Sequence, residues 1–236
     1  MSNSDFSTTV TISDISVEVI RKNIRSLRLA VHPPEGRVSL SAPTFVSDED
    51  IRQMLVSRLL WIKQKQAVLE QSPKPIKYQY VTGEIHRYQS QTYSLRVIER
   101  QGKHALILKE NEMQLYVKPN TRTQNKALVI DRWYRQQMER QIDALQRKWQ
   151  PVIKRQVTHF TVKKMKTKWG SCNIIAKRIS IALSLAKKPI ECLEYVLVHE
   201  MVHLHERYHN ANFYRLMDHY LPDWRARDEV LRRPQS

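Results

Sequence analysis

Apolar positions along this chain follow two periods that alternate from segment to segment. After a polar stretch rich in Ser and Thr from Met1 to Asp14, the residues from Ser16 to Val31 mix alternating apolar positions with bases. Pro33-Pro-Glu-Gly36 turns the chain, and Val38-Ser-Leu-Ser-Ala42 alternates again. This pattern predicts a β-hairpin. The period then lengthens. Ser47 with Asp50 resembles a helix-capping box, and Ile51, Leu55, Leu59, Ile62 and Leu69 recur near helical spacing, predicting a helix over about 48–70. Ser72-Pro-Lys-Pro75 ends it. The runs Tyr93–Ile98 and Ala105–Leu108, separated at Gln101-Gly102, predict antiparallel strands in the stretch to Val117.

From Thr123 to Gln150 there is neither Gly nor Pro, and Leu128, Trp133, Ile142, Leu145 and Trp149 punctuate a run dense in Arg, Gln and Lys. A long basic amphipathic helix is expected there. Strand-like segments return at Val157–Val162 and Arg178–Leu185, joined through Lys166-Thr-Lys-Trp-Gly-Ser-Cys172, and Pro189 opens another helix. No internal repeat is apparent. The expected class is α+β: an antiparallel β-rich part with a helix, then a helical part beside a small sheet. The expected organisation is a leader without order over 1–14 and a single domain over 15–233, β-rich over about 15–120 and helical over about 121–233.

Composition narrows the function classes. With 236 residues and 41% hydrophobic positions, the chain can bury an ordinary core. Cys172 and Cys192 are its two cysteines, too few for a disulfide framework or a four-cysteine zinc site, and reduced thiols suit a cytoplasmic location. Neither a signal peptide nor a membrane-spanning segment is read, so no membrane is expected among its partners. The net charge of +17 concentrates anions near the surface, or serves solubility alone.

The candidate chemistry lies in the last quarter. His199-Glu200-Met201-Val202-His203 matches H-E-x-x-H, a pattern expected by chance about 0.02 times in a chain of this composition. Residues four apart on a helix share a face, so both imidazoles can reach one ion, while Glu200 falls on the adjoining face, suited to a general base rather than a ligand. The apolar run Tyr195–Val198 supplies the body that buries such a helix. A catalytic zinc takes three protein ligands and leaves a position open. His205 points away on the same helix. His209, ten residues beyond His199, would lie about 15 Å along an unbroken helix and can ligate only if the helix ends between them. In the metzincin pattern a glycine makes that break, and here Glu206 occupies its position.

Three segments carry a resemblance to a known family: Lys168-Trp-Gly-Ser-Cys172, the run Tyr195–His209, and Asn212-Phe-Tyr214 with Leu221-Pro-Asp-Trp224. Together they resemble the YgjP-like metallopeptidase family of metal-dependent hydrolases, distantly similar to the zincin peptidases, with weaker likeness over about 15–233. The resemblance implies a zincin-like helical part, zinc as cofactor, His199, His203 and His209 as its ligands and Glu200 as catalytic acid/base. It further implies that Trp169-Gly170 lies on a strand beside the active-site helix. Some family members are described as pyrophosphatases acting on UTP, so the resemblance implies either a peptide or a nucleotide substrate.

Both substrates call for further groups. A peptide needs a donor for the developing oxyanion, for which Tyr208, Tyr214 and His205 are candidates. A nucleoside triphosphate needs cations, and Lys163, Lys164, Lys166, Lys168 and Arg178 flank Trp169-Gly170. A nucleic-acid-associated role is the rival from another class, motivated by Arg132, Arg135, Arg140, Arg147 and Lys148 with Trp133 and Trp149 on the long helix. At helical spacing those tryptophans read better as core anchors than as stacking platforms.

Overall fold

The computed structural model describes residues 7–71 and 77–233. They divide between Lys77 and Tyr78 into two compact units, each with its own apolar core. The class is α+β, as expected.

In the first unit, β1 (Ser7–Ile12), β2 (Ile15–Lys22), β3 (Arg28–His32) and β4 (Arg37–Pro43) form one sheet in the order β1-β2-β4-β3. Ser7–Ile12 was expected to belong to a leader without order. It is instead a strand, antiparallel to β2 from Ser7↔Ile20 to Ile12↔Ile15, because Thr-rich alternation suits an edge with one solvated face. Met1–Phe6 lie outside the described residues, as does Ser72–Pro75. The predicted hairpin is β3 and β4, whereas β2 runs parallel to β4 from Val17↔Val38 to Lys22↔Pro43. Alternation marked each strand but could not tell which neighbour it would pair with or in which direction. Val17, Val19, Val38 and Leu40 point to one face and pack with Ile51, Leu55 and Ile62.

The expected helix over 48–70 is two, α1 (Asp48–Ser57) and α2 (Leu59–Gln71). Ser47 caps the first as predicted, its hydroxyl accepting from the Asp50 amide at 3.1 Å. The break at Arg58 follows from Ser57, whose hydroxyl donates back to the Met54 carbonyl at 2.7 Å and competes with the backbone ladder.

The second unit begins with β5 (Ile85–Tyr88), β6 (Gln91–Glu99), β7 (Ala105–Lys109) and β8 (Glu112–Val117), in the order β5-β6-β8-β7. Here too the middle pair is parallel, β6 with β8, and the outer pairs are antiparallel. The long helix α3 (Thr123–Ile153) buries Val129, Ile130, Tyr134, Met138, Ile142, Trp149 and Ile153. Leu128, expected on its apolar face, is 58% exposed, one position out of phase with the stripe that packs. Trp149 and, less completely, Trp133 are core residues.

A three-stranded sheet in the order β10-β11-β9 follows, from β9 (His159–Lys163), β10 (Gly170–Asn173) and β11 (Arg178–Ala182), with β9 parallel and β10 antiparallel to β11. A 3₁₀ turn at Leu183–Lys187 leads to α4 (Ile190–Val202), with Pro189 as its N-cap residue, then to α5 (Ala211–Tyr220) and α6 (Trp224–Arg232). Glu194 on α4 ties three helices together: its carboxylate accepts from Lys148 Nζ at 2.7 Å and Trp149 Nε1 at 2.8 Å on α3, and from Arg227 Nη1 at 2.6 Å on α6. No helix among the described residues is long and apolar enough to cross a membrane.

Candidate metal centre

Nearly every residue of α4 from Cys192 to Val202 is buried, which is why so apolar a stretch forms a helix at the centre of the unit. His199 and His203 sit one turn apart at its C-terminal end. The chain leaves the helix through tightened turns, Leu204 N to Met201 O at 3.0 Å and both His205 N and Glu206 N to Val202 O at 2.8 and 3.1 Å. No residue from His203 to Asn210 has a positive φ, so this exit needs no glycine. His205 anchors the turn by donating from Nε2 to the Ile153 carbonyl at 2.8 Å, at the end of α3. Its role is therefore structural. Glu206 holds the loop beyond, accepting from Tyr208 N and Asn212 Nδ2 at 3.2 Å each. Those hydrogen bonds keep its carboxyl below the usual range. Asn210 then caps α5 by accepting from Phe213 N at 3.0 Å.

This loop returns His209 to the helix end. Its Nε2 lies 3.1 Å from His199 Nε2 and 3.1 Å from His203 Nε2. Three nitrogens bonded tetrahedrally to zinc at 2.0–2.1 Å would stand about 3.3 Å apart, so the donor set fits that ion in kind and in spacing. His203 Nδ1 donates to the Glu206 carbonyl at 3.1 Å, which leaves Nε2 with the lone pair a metal needs. Burial, reinforced by His203 and His209, pushes His199 down to about 3, and burial also lowers His203, so these rings are neutral at physiological pH. Phe213, fully buried, forms the floor, its ring centroid 5.0, 4.8 and 4.6 Å from those of His199, His203 and His209.

The Glu200 side chain is buried and makes no hydrogen bond among the described residues. Burial raises its carboxyl to about 8, with Lys168 pulling the other way. It lies against β10 at Gly170. A Cβ on that glycine would stand 2.6 Å from Glu200 Oε1, 2.7 Å from Glu200 Cγ and 2.9 Å from Val196 Cγ1, so only glycine allows the strand this close to the helix.

A cleft of about 680 Å³ opens over these residues, with Lys168, Gly170 and Cys172 on one wall and Arg207, Asp228 and Arg232 among its other lining groups. Asp228 orients the neighbouring groups, accepting from Tyr195 OH at 3.3 Å and Arg232 Nε at 2.6 Å. Cys172 is pushed up to about 11, by burial first and then by Glu200, and stays a thiol.

Of the substrate-binding residues read from the sequence, Lys168 alone lines this cleft. Lys166 lies in the loop between β9 and β10, and Arg178 pairs with Asn173, at the opposite end of the strand pair from Gly170↔Ile181. Tyr208 is 66% exposed beneath Arg207, and Tyr214 stacks on Trp224 with centroids 5.7 Å apart. Lys164 is engaged in an ion pair with Asp131. Sequence reasoning missed Arg207, Arg232 and Asp228, which no motif marks, and the structural purpose of Gly170 and Phe213.

No curated protein matches the chain. Among solved structures, the crystal structure of the metallopeptidase zymogen of Pyrococcus abyssi abylysin matches with 19% identity and a TM-score of 0.33, over 39% of this chain and 87% of that one. The family described as "YgjP-like, metallopeptidase domain" matches residues 25–234, which takes in the histidine cluster, Glu200 and the strand against them. With most of its length so matched, the chain belongs to the YgjP-like metallopeptidase family.

Proposed function

We propose that this metal-dependent hydrolase is a zinc peptidase, with His199, His203 and His209 as ligands and Glu200 as general base and acid. The convergence of three imidazole Nε2 atoms beside a buried, uncommitted carboxylate is the observation that carries this reading. A zinc ion held by these residues would supply a water acidified toward neutral pH and would polarise the bond to be cleaved. Burial raises the Glu200 carboxyl to about 8; a cation held by the histidines would favour its carboxylate, which would then take a proton from the attacking water and return it to the leaving nitrogen. Gly170 sets the depth at which that carboxylate sits. Strand β10 is an edge strand whose residues line the cleft, so its unpaired backbone groups suit an extended peptide laid alongside it.

Arg207 and Lys168 in the cleft favour an anionic substrate, Arg232 being paired with Asp228, and with it a second reading, hydrolysis of a nucleoside triphosphate such as UTP at the same centre. The test is initial rate on an unstructured protein and on UTP, for wild type, Lys168→Glu and Glu200→Gln. The peptidase reading expects proteolysis that is lost in Glu200→Gln. Turnover of UTP alone, falling in Lys168→Glu and with rising salt, would replace it with the nucleotide reading, since exposed charges are screened beyond about 8 Å. Activity undiminished in Glu200→Gln would remove both.

A further inference from the structure

The second unit holds another cavity, of about 300 Å³, that shares no lining residue with the metal cleft. One wall is a cluster of three rings: the buried His86 ring lies 4.4 Å from Tyr78 at an interplanar angle of 22° and 5.7 Å from Tyr80, and the two tyrosine rings are 5.8 Å apart. Glu84 fixes that wall, accepting from the backbone amides of Gln79 at 2.8 Å and Tyr80 at 2.7 Å and contacting His86 Nε2 at 3.2 Å. Tyr134 of α3 also lines it, its hydroxyl committed to the Arg87 carbonyl at 2.7 Å, so what it offers the cavity is ring surface.

The polar groups are unbalanced. Lys164 and Lys187 bring two positive charges and Asp131 one negative, which leaves the lining at 2 − 1 = +1. Asp131 is ion-paired with Lys164, although its buried Oδ2 accepts no hydrogen bond among the described residues. The Lys187 ammonium makes no ion pair and donates no hydrogen bond among the described residues; it rests over the Tyr78 ring, 4.7 Å from the centroid. Burial holds its pKa below the ordinary lysine range, with Asp131 offsetting part of that. A partly desolvated ammonium that makes no ion-pair contact among the described residues, set among three tyrosines, is a costly arrangement for a core and a favourable one for a bound anion.

We propose that this cavity is a second ligand site, for a small planar ring bearing a carboxylate or a phosphate. The ring lies among Tyr78, Tyr80 and Tyr134, and the anion meets Lys187. The site does not depend on the metal.

Calorimetric titration of the intact chain tests it, with benzoate and phenyl phosphate as ring anions, benzamide as an uncharged ring and inorganic phosphate as an anion without a ring. At least one ring anion binds saturably, and the tighter of the two identifies the anion. Benzamide and inorganic phosphate each bind at least about tenfold more weakly, since each lacks one of the two contacts. Lys187→Met weakens the ring anion by about tenfold or more, and so does Tyr78→Leu, whereas Lys168→Met in the metal cleft leaves its affinity unchanged. If Lys187→Met does not fold, as judged by circular dichroism, Tyr78→Leu decides. Full affinity in either folded variant, loss in Lys168→Met, or no saturable binding of either ring anion at millimolar concentration overturns the proposal.

Discussion

The two four-stranded sheets of this molecule have the same topology and different uses. In both, the order is first-second-fourth-third, a six-residue parallel pair occupies the middle, and a helix follows the last strand. In the first unit the following helices are short, 10 and 13 residues, and they close a core around Ile51, Leu55 and Ile62. In the second, the following helix runs 31 residues, and a third sheet and three more helices build on it, bringing the histidines together. The same arrangement thus ends as a closed layer in one unit and serves as a foundation in the other. The histidine cluster that could hold a metal belongs to what was added.

That comparison is broken most sharply by removing a ligand. His199→Ala or His203→Ala should abolish hydrolysis and leave no zinc by elemental analysis, since two imidazoles rarely retain a labile ion, while far-ultraviolet circular dichroism stays that of a folded chain. Zinc retained in full in either variant contradicts the site.

A smaller effect is expected from Gly170→Ala. The added methyl would fall 2.6 Å from Glu200 Oε1, so the carboxylate must shift. The rate should drop on the order of 10²-fold through misplacement of the base, with zinc still bound. An unchanged rate would mean that the carboxylate does not act from this position.

The first unit should respond in stability alone. Leu40→Ala or Ile51→Ala, each at a position no more than 1% exposed, should cost about 2–5 kcal/mol in denaturant unfolding, with zinc content unchanged. Loss of zinc in the folded variant would show that the two regions are not separable in function.

The smallest effect is the Glu194 junction. Burial pushes its carboxyl up, but hydrogen bonds from Lys148, Arg227 and Trp149 outweigh this and leave it below its usual value of 4.5. Its folded pKa is thus below its unfolded one, so the stability it contributes is complete above about 4.5 and is lost as pH falls through the lowered value. Glu194→Gln should cost about 2 kcal/mol at neutral pH, and the variant should lose less stability than wild type on acidification below pH 4.5. Equal acid sensitivity in both would remove Glu194 as the source.

What was legible in the sequence was local. The H-E-x-x-H spacing, the Ser47 cap and the period of the long helix each depend on residues within one or two turns of one another, and each recurs in the structure. Pairing direction depends on segments far apart, so the parallel pairs β2–β4 and β6–β8 and the repeated topology were not legible. The two middle pairs are built from different residues, Val17, Val19, Val38 and Leu40 in one, Leu95, Val97, Met113 and Leu115 in the other. The site divided the same way. The two helical histidines followed from spacing, whereas His209, the floor at Phe213 and the close approach at Gly170 depend on a turn and a strand that meet the helix only in three dimensions.

In the proposed site one zinc is held by His199, His203 and a third histidine, His209, returned by the loop. Zinc stoichiometry in His209→Ala and Glu206→Ala tests it most directly, because spacing left Glu206 at the position where a glycine would stand and the geometry points its carboxylate into the loop. Wild type should carry about one zinc per chain, His209→Ala should lose most of it and Glu206→Ala should retain nearly all. Full zinc in His209→Ala with loss in Glu206→Ala would contradict it.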